Sequence, residues 1–192
     1  MFNKKDFIYH KRAAYSQEGC NHAINFFEKR IDLHQDGAVR GKDGKVVNYD
    51  KKKCTELYLN RHDYTLFEDV VQACIKDYGK RYPMASQILP YDIRRLIKIQ
   101  RYKPGEGYFI EHCENYGMEG DVDTVLAWMI YLNDVTDGGH TVFPSQNRKF
   151  QPRRGDLLMW PAYFTHSHHG IVSKTQTKYI VTGWCTFSTD KQ

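Results

Sequence analysis

A mainly β fold (α+β by composition of elements), an antiparallel sandwich or jelly roll braced by N-terminal helices, is what the chain predicts. Three observations carry that expectation. Apolar residues recur at helical spacing in the first ninety positions, and the period changes to two after about residue 91. The second region also breaks into short β-type segments divided by Gly, Pro, Asn and Asp. Many short strands after a pair of helices bury their faces as sheet layers with helices to one side, not as alternating strand–helix units.

The first region, residues 1–90, is read as mostly helical support with a mobile loop. Ser16 is placed to cap a helix whose apolar positions Ala23, Ile24, Phe27 and Ile31 share a face. A second helix is expected over Thr65 to Tyr82, with Phe67, Val70, Val71, Cys74, Ile75 and Tyr78 on one stripe and Pro83 closing it. Between them runs GAVRGKDGKVVNYDKKK, rich in Gly, Asp and Lys with little to bury, so a mobile loop is expected. Lys51, Lys52 and Lys53 at its end read as a solvated surface.

The second region, residues 91–192, supplies the β core: RRLIKIQRY, GYFIEH, TVLAWMIYLND, HTVF, FQPRRGDLLMWPA and KYIVTGWCTF. In the last of these, Lys178, Ile180, Thr182 and Trp184 share one face, and Tyr179 and Val181 the other. A lysine and a threonine beside isoleucine and tryptophan imply an interior that holds something polar and anionic, since a bare buried ammonium is costly. By the same alternation Tyr131 points inward with Met129 and Ala127.

Composition bounds the function. At 192 residues the chain is expected to be one domain, 1–192, able to bury a core without staples. A net charge of +5 permits nucleic-acid binding without demanding it. Five cysteines without paired spacing, an N-terminus lacking an apolar leader, and no run of membrane length point to a reducing cytoplasm with free thiols.

The chemistry concentrates between Tyr102 and Trp184. His112 and Glu114 stand at i and i+2, so on an extended segment both side chains project to one side. One of His166, His168 and His169, from a distant strand, can complete the set. Two imidazoles and one carboxylate on one face, with other positions open, are the ligands of non-haem Fe(II) oxygenases. Lys178 then offers a cationic seat for the far carboxylate of an oxo-acid. His140, in DGGHTVF, reads as a hairpin residue.

Four blocks in order, IQRYKPGEGYFIEHCEN, VLAWMIYLNDVTDGGHTVFP, RRGDLLMWPAYFTHSHHG and KYIVTGW, resemble the prolyl 4-hydroxylase-like family of Fe(II)/2-oxoglutarate-dependent dioxygenases, from about Ile97 to Phe187. SQEGCNHAINFF is similar, more weakly, to the helix that precedes the core in that family. The resemblance implies a double-stranded β-helix with helices packed on one sheet. It implies Fe(II), 2-oxoglutarate and O2 as cofactors and co-substrates, with ascorbate (L-ascorbic acid) as a further one. It makes His112, Glu114 and His168 the catalytic metal ligands; His168 is selected because the family's second histidine lies ten residues before its lysine, here Lys178. The family more commonly has Asp where this chain has Glu114. The extra methylene lets the carboxylate reach farther, so its strand sits slightly back.

Lys178, Tyr131, Tyr102 and Thr182 are the implied 2-oxoglutarate contacts, and Trp184 packs the pocket floor where substrate binds. The implied reaction releases succinate and CO2 and hydroxylates a substrate carbon, a prolyl residue of a peptide or protein being favoured. Residues 36–60 and 115–124 would border the mouth and choose the substrate. Two other readings stand beside this one. An oxygenase acting on nucleic acid or a small molecule fits the basic balance, although no arginine–aromatic run offers to stack bases. A non-catalytic jelly-roll module with a bystander zinc would need a fourth ligand, and Cys113, the only nearby thiol, faces away.

Overall fold

The computed structural model describes residues 5–41, 44–88 and 90–188. Among the described residues, fifteen strands and two α-helices follow one another. Strand β1 (Tyr9–Lys11) precedes helix α1 (Gln17–Glu28). Then come β2 (Gln35–Asp36), β3 (Ala38–Gly41), β4 (Gly44–Val47), β5 (Lys52–Lys53), β6 (Thr55–Tyr58) and helix α2 (Glu68–Arg81). The remaining strands are β7 (Tyr91–Ile93), β8 (Lys98–Tyr102), β9 (Gly107–Tyr108), β10 (Thr124–Tyr131), β11 (Thr141–Phe143), β12 (Arg148–Phe150), β13 (Leu157–Pro161), β14 (His169–Gly170) and β15 (Lys178–Phe187).

The large sheet runs β1-β13-β10-β15-β8-β6-β2, and β7 also pairs with β15. Its described pairings are antiparallel. A smaller sheet, β12-β11-β14, contributes Phe143 and Phe150 to a core shared with Met129, Tyr131, Leu158 and Ile180 of the large one. Two facing antiparallel sheets with helices outside one of them form the double-stranded β-helix that the sequence led us to expect.

Both helices cover the far face of the large sheet. Ser16 caps α1, its hydroxyl accepting from the Gly19 amide at 3.0 Å. Cys20, Ala23, Phe26 and Phe27 are its buried positions; Phe27 is wholly buried, worth about 1.5–3 kcal/mol. Ile31 departs from the expected stripe: α1 ends at Glu28, Ile31 starts a 3-10 turn, and it is 71% exposed. Helix α2 begins three residues later than expected, after a 3-10 turn over Asp63–Leu66, and buries Val71, Cys74 and Tyr78.

The first ninety residues are less helical than expected. Residues 37–53, read as a mobile loop, hold the β3–β4 hairpin and β5, which pairs with β9; Asp43 and its neighbour Lys42 lie outside the described residues. Lys52, read as solvated, is 2% exposed. Its position on β5 turns it inward toward Glu56, a partner that a local charge count cannot see.

Strand β10 is buried along its whole length. Leu126, Trp128 and Ile130 face the helices, while Ala127, Met129 and Tyr131 face the smaller sheet. Gly183 on β15 permits this packing, because a Cβ there would lie 2.4 Å from the Trp128 ring.

Candidate active site

His112 and His168 come from segments far apart in sequence and pair as an isolated antiparallel bridge. The His112 amide donates to the His168 carbonyl at 3.0 Å, and the His168 amide donates back at 2.8 Å. Glu114 follows with its amide on the Ala162 carbonyl, so its side chain projects to the same side as His112. Glu114 Oε1 stands 3.6 Å from His112 Nε2 and 3.4 Å from His168 Nε2. Those gaps are long for hydrogen bonds and suit donor atoms that share an ion. Among the described residues, His112, Glu114 and His168 are the group of donors close enough to hold a metal.

The rest of the local chemistry fits a cation. His112 Nδ1 lies 3.1 Å from the Ile110 carbonyl, and His168 Nδ1 lies 3.1 Å from the His166 carbonyl. A carbonyl accepts only, so each Nδ1 carries the proton and each Nε2 presents a lone pair. Burial, and then the neighbouring His168, push the His112 imidazole below its ordinary pKa, which keeps it neutral as a ligand must be. The ring of Tyr108 stacks on His112 with centroids 3.6 Å apart. Trp184 donates its indole N–H to Glu114 Oε2 at 2.8 Å, leaving Oε1 toward the histidines. That donor takes up the reach of the longer carboxylate.

A cavity of about 380 Å³ opens from this face. Lys178, Tyr102, Thr182 and Trp184 all line it. The Lys178 ammonium donates to the Gly139 carbonyl at 3.0 Å and sits over the Tyr102 ring at 4.8 Å. Gly139 has a φ of +70°, a left-handed conformation that glycine adopts without strain. Burial lowers the Lys178 pKa to about 8. Among the described residues no carboxylate pairs with this ammonium, so the cavity presents it to an incoming anion.

Tyr131 faces inward with Met129 and Ala127 as expected, but its hydroxyl stops short of the cavity. It is fully buried but does not line the cavity; its hydroxyl donates to Thr141 Oγ1 at 2.7 Å, and Thr141 is the group that faces the space. Thr182 Oγ1 lies 3.5 Å from Gln100 Oε1. His166 does not share a direction with His168, because it ends a 3-10 turn and not a strand. Its Nε2 meets the Asp6 carbonyl at 2.9 Å, and only its backbone carbonyl serves the site. His169 lines the cavity wall on β14. Cys113 turns its thiol to the Asn115 carbonyl, 3.4 Å away.

Sequence reasoning missed Thr141 and a buried group around Glu56. Glu56 Oε1 accepts from Lys52, from Lys98 at 2.8 Å and from Gln100 Nε2 at 2.6 Å; Tyr58 donates to Oε2 at 3.1 Å. The signal for it was present in KIQRY, where Lys98, Gln100 and Tyr102 share one face by period two.

Residues 97–186 match the 2OG-Fe(II) oxygenase superfamily. A mimivirus protein named "Putative prolyl 4-hydroxylase" (Acanthamoeba polyphaga mimivirus) is 29% identical over 114 residues, covering 50% of this chain and 46% of its own. The chain spans about half the length of the curated relatives it matches. In fold, it is similar to the viral collagen prolyl hydroxylase of Paramecium Bursaria Chlorella virus-1, solved as a 2OG complex, with a TM-score of 0.70 and 16% identity over 95% of this chain and 96% of that one. It is also similar to a Trichoplax adhaerens prolyl hydroxylase solved with a hypoxia inducible factor peptide fragment, with a TM-score of 0.69 and 14% identity over 95% and 84%.

Proposed function

We infer that this chain is a member of the 2OG-Fe(II) oxygenase superfamily and a 2-oxoglutarate-dependent dioxygenase that hydroxylates a prolyl residue of a peptide or protein. One observation carries the reading: two imidazoles and a carboxylate converge on one face, and a buried ammonium lines the same cavity. His112 and His168 would hold Fe(II) through Nε2 and Glu114 through Oε1. Bound there, the iron supplies O2 activation coupled to decarboxylation of 2-oxoglutarate to succinate and CO2.

The protein's own part is positioning. Lys178 receives the far carboxylate of 2-oxoglutarate, a charge-assisted bond worth about 1.5–3 kcal/mol. Thr141, held by Tyr131, offers a hydroxyl to the same cavity, while Tyr102 walls the ammonium and Thr182 lies farther along β15. Trp184 fixes Glu114 and floors the space for substrate. The backbone carbonyls of Ile110 and His166 hold both imidazoles in the ligating tautomer. The apolar wall of Met129, Trp160 and Ile180 limits water.

Ascorbate belongs to the same reading as an accessory reductant. Five free cysteines, four of them buried, support a reducing cytoplasmic setting. No described helix is long and apolar enough to cross a membrane. The reading of residues 1–192 as one catalytic domain rests on the cores that join the first ninety residues to the rest.

The direct test supplies purified protein with Fe(II), 2-oxoglutarate and O2 and a proline-containing peptide library. Succinate release with a peptide mass gain of one oxygen atom at proline is expected. Succinate without a prolyl product moves the substrate elsewhere; no 2-oxoglutarate consumption under any condition ends the reading.

A further inference from the structure

The cavity carries a second cationic centre. Lys52 is 2% exposed, Lys98 8% and Glu56 is fully buried, so two ammonium groups meet one carboxylate out of water. Burial opposes ionisation of Glu56, but Lys98 and Lys52 overcome it and hold its pKa down to about 2. Burial, and then Lys98, lower the Lys52 pKa, so the second positive charge of the cluster is held at a cost that an incoming anion would relieve. A buried excess charge is costly unless something arrives to meet it.

The co-substrate does not account for it. One carboxylate ligand against a divalent ion leaves one positive charge, and Lys178 adds another; 2-oxoglutarate, a dianion, balances those two. The other acids of the cavity lining, Glu119 and Asp121, are matched in number by Lys45 and Arg94. Lys52 and Lys98, two lysines set against the single carboxylate of Glu56, have no counterpart in the co-substrate.

Its location is specific. Lys98 on β8 pairs with Thr182 on β15, two residues from Trp184, whereas Tyr102 on β8 pairs with Lys178. The Lys98 ammonium lies 5.7 Å from the Trp184 ring and 5.5 Å from the Tyr58 ring. Trp184 in turn holds Glu114. An ammonium has three N–H donors, and one is taken by Glu56. Lys98 and both rings line the cavity that opens from the metal face.

We propose that the substrate bears a carboxylate close to the carbon that is hydroxylated, and that Lys98, backed by Lys52 and Glu56, receives it. The inference rests on the oxygenase reading above and narrows its substrate to acidic molecules, a peptide with an acidic or C-terminal carboxylate beside the target residue. Gln100 and Thr182 close the wall between this centre and Lys178, keeping the two anions in separate seats.

The experiment compares N-acetyl-L-proline with N-acetyl-L-prolinamide, which differ by one charge. Binding is followed by calorimetry and tryptophan emission on protein loaded anaerobically with Fe(II) and 2-oxoglutarate. The acid should bind about tenfold or more tightly than the amide, as expected for a charge-assisted hydrogen bond. Lys98→Met should bring the two within about twofold while its 2-oxoglutarate requirement stays at the wild-type value. Lys98→Arg, which keeps the charge, should retain the preference. Equal binding of acid and amide by the wild type, or binding of neither, overturns the proposal. So does a Lys98→Met protein whose 2-oxoglutarate requirement rises as it does in Lys178→Met, since the lysine would then serve the co-substrate. Wild-type protein that never converts 2-oxoglutarate to succinate sinks the oxygenase reading itself, a separate and recognisable failure.

Discussion

The two faces of the large sheet are built from the same strands, yet only one of them sets buried charges among its apolar residues. On the helix side, Leu126, Trp128, Ile130, Val181 and Ile99 meet Phe27, Val71, Cys74 and Tyr78 in an apolar core. On the cavity side, the alternate residues of those strands include Lys98, Gln100, Tyr102 and Lys178, with ammonium groups buried at a cost. One face lowers the free energy of the fold. The other draws on that stability to hold charges where water would otherwise be preferred. Stability and chemistry are therefore separable by one residue step along a strand.

That separation can be tested in order of expected effect. His112→Ala or His168→Ala should remove 2-oxoglutarate turnover by more than about a hundredfold, exceeding the usual loss for an outer partner of a ligand. Circular dichroism and thermal melting should show the fold retained, and normal succinate release from either variant would refute its ligand role. Phe27→Ala should do the reverse, lowering unfolding free energy by about 3–5 kcal/mol in urea titration while the KM for 2-oxoglutarate holds. A changed KM would show that the two faces are coupled.

Lys178→Met should raise the 2-oxoglutarate KM by a factor equivalent to about 1.5–3 kcal/mol and leave Fe(II) affinity near the wild-type value. The smallest effect is one of pH. Lys178 has its pKa lowered to about 8 before co-substrate binds, so it is mostly charged at pH 7 and mostly neutral at pH 9. Affinity for 2-oxoglutarate should thus fall by about tenfold across that interval, read by titrating binding anaerobically at each pH. In Lys178→Met the slope should vanish.

What could be read from the chain followed the reach of each signal. Period-two alternation placed Lys178, Ile180, Thr182 and Trp184 on one face and Met129 with Tyr131 on another, since side-chain direction in a strand is local. The convergence of His112, Glu114 and His168 was legible from spacing and resemblance together. The hairpin over 38–47 was not: its pairing is held by partners that a window of Gly and Lys does not reveal. Lys52 went astray for the same reason, because its burial depends on Glu56 and on β9. Tyr131 was aimed correctly but stops one group short, as Thr141 from the other sheet takes its hydroxyl.

The reciprocal amide bonds between His112 and His168 make the two imidazoles part of the seam where distant chain segments are stitched together. Any ion gripped by both rings would clamp that seam shut, so the exchange of these two backbone protons for deuterium should slow with occupancy. Isotope uptake at two positions would then gauge loading of the centre without a single turnover.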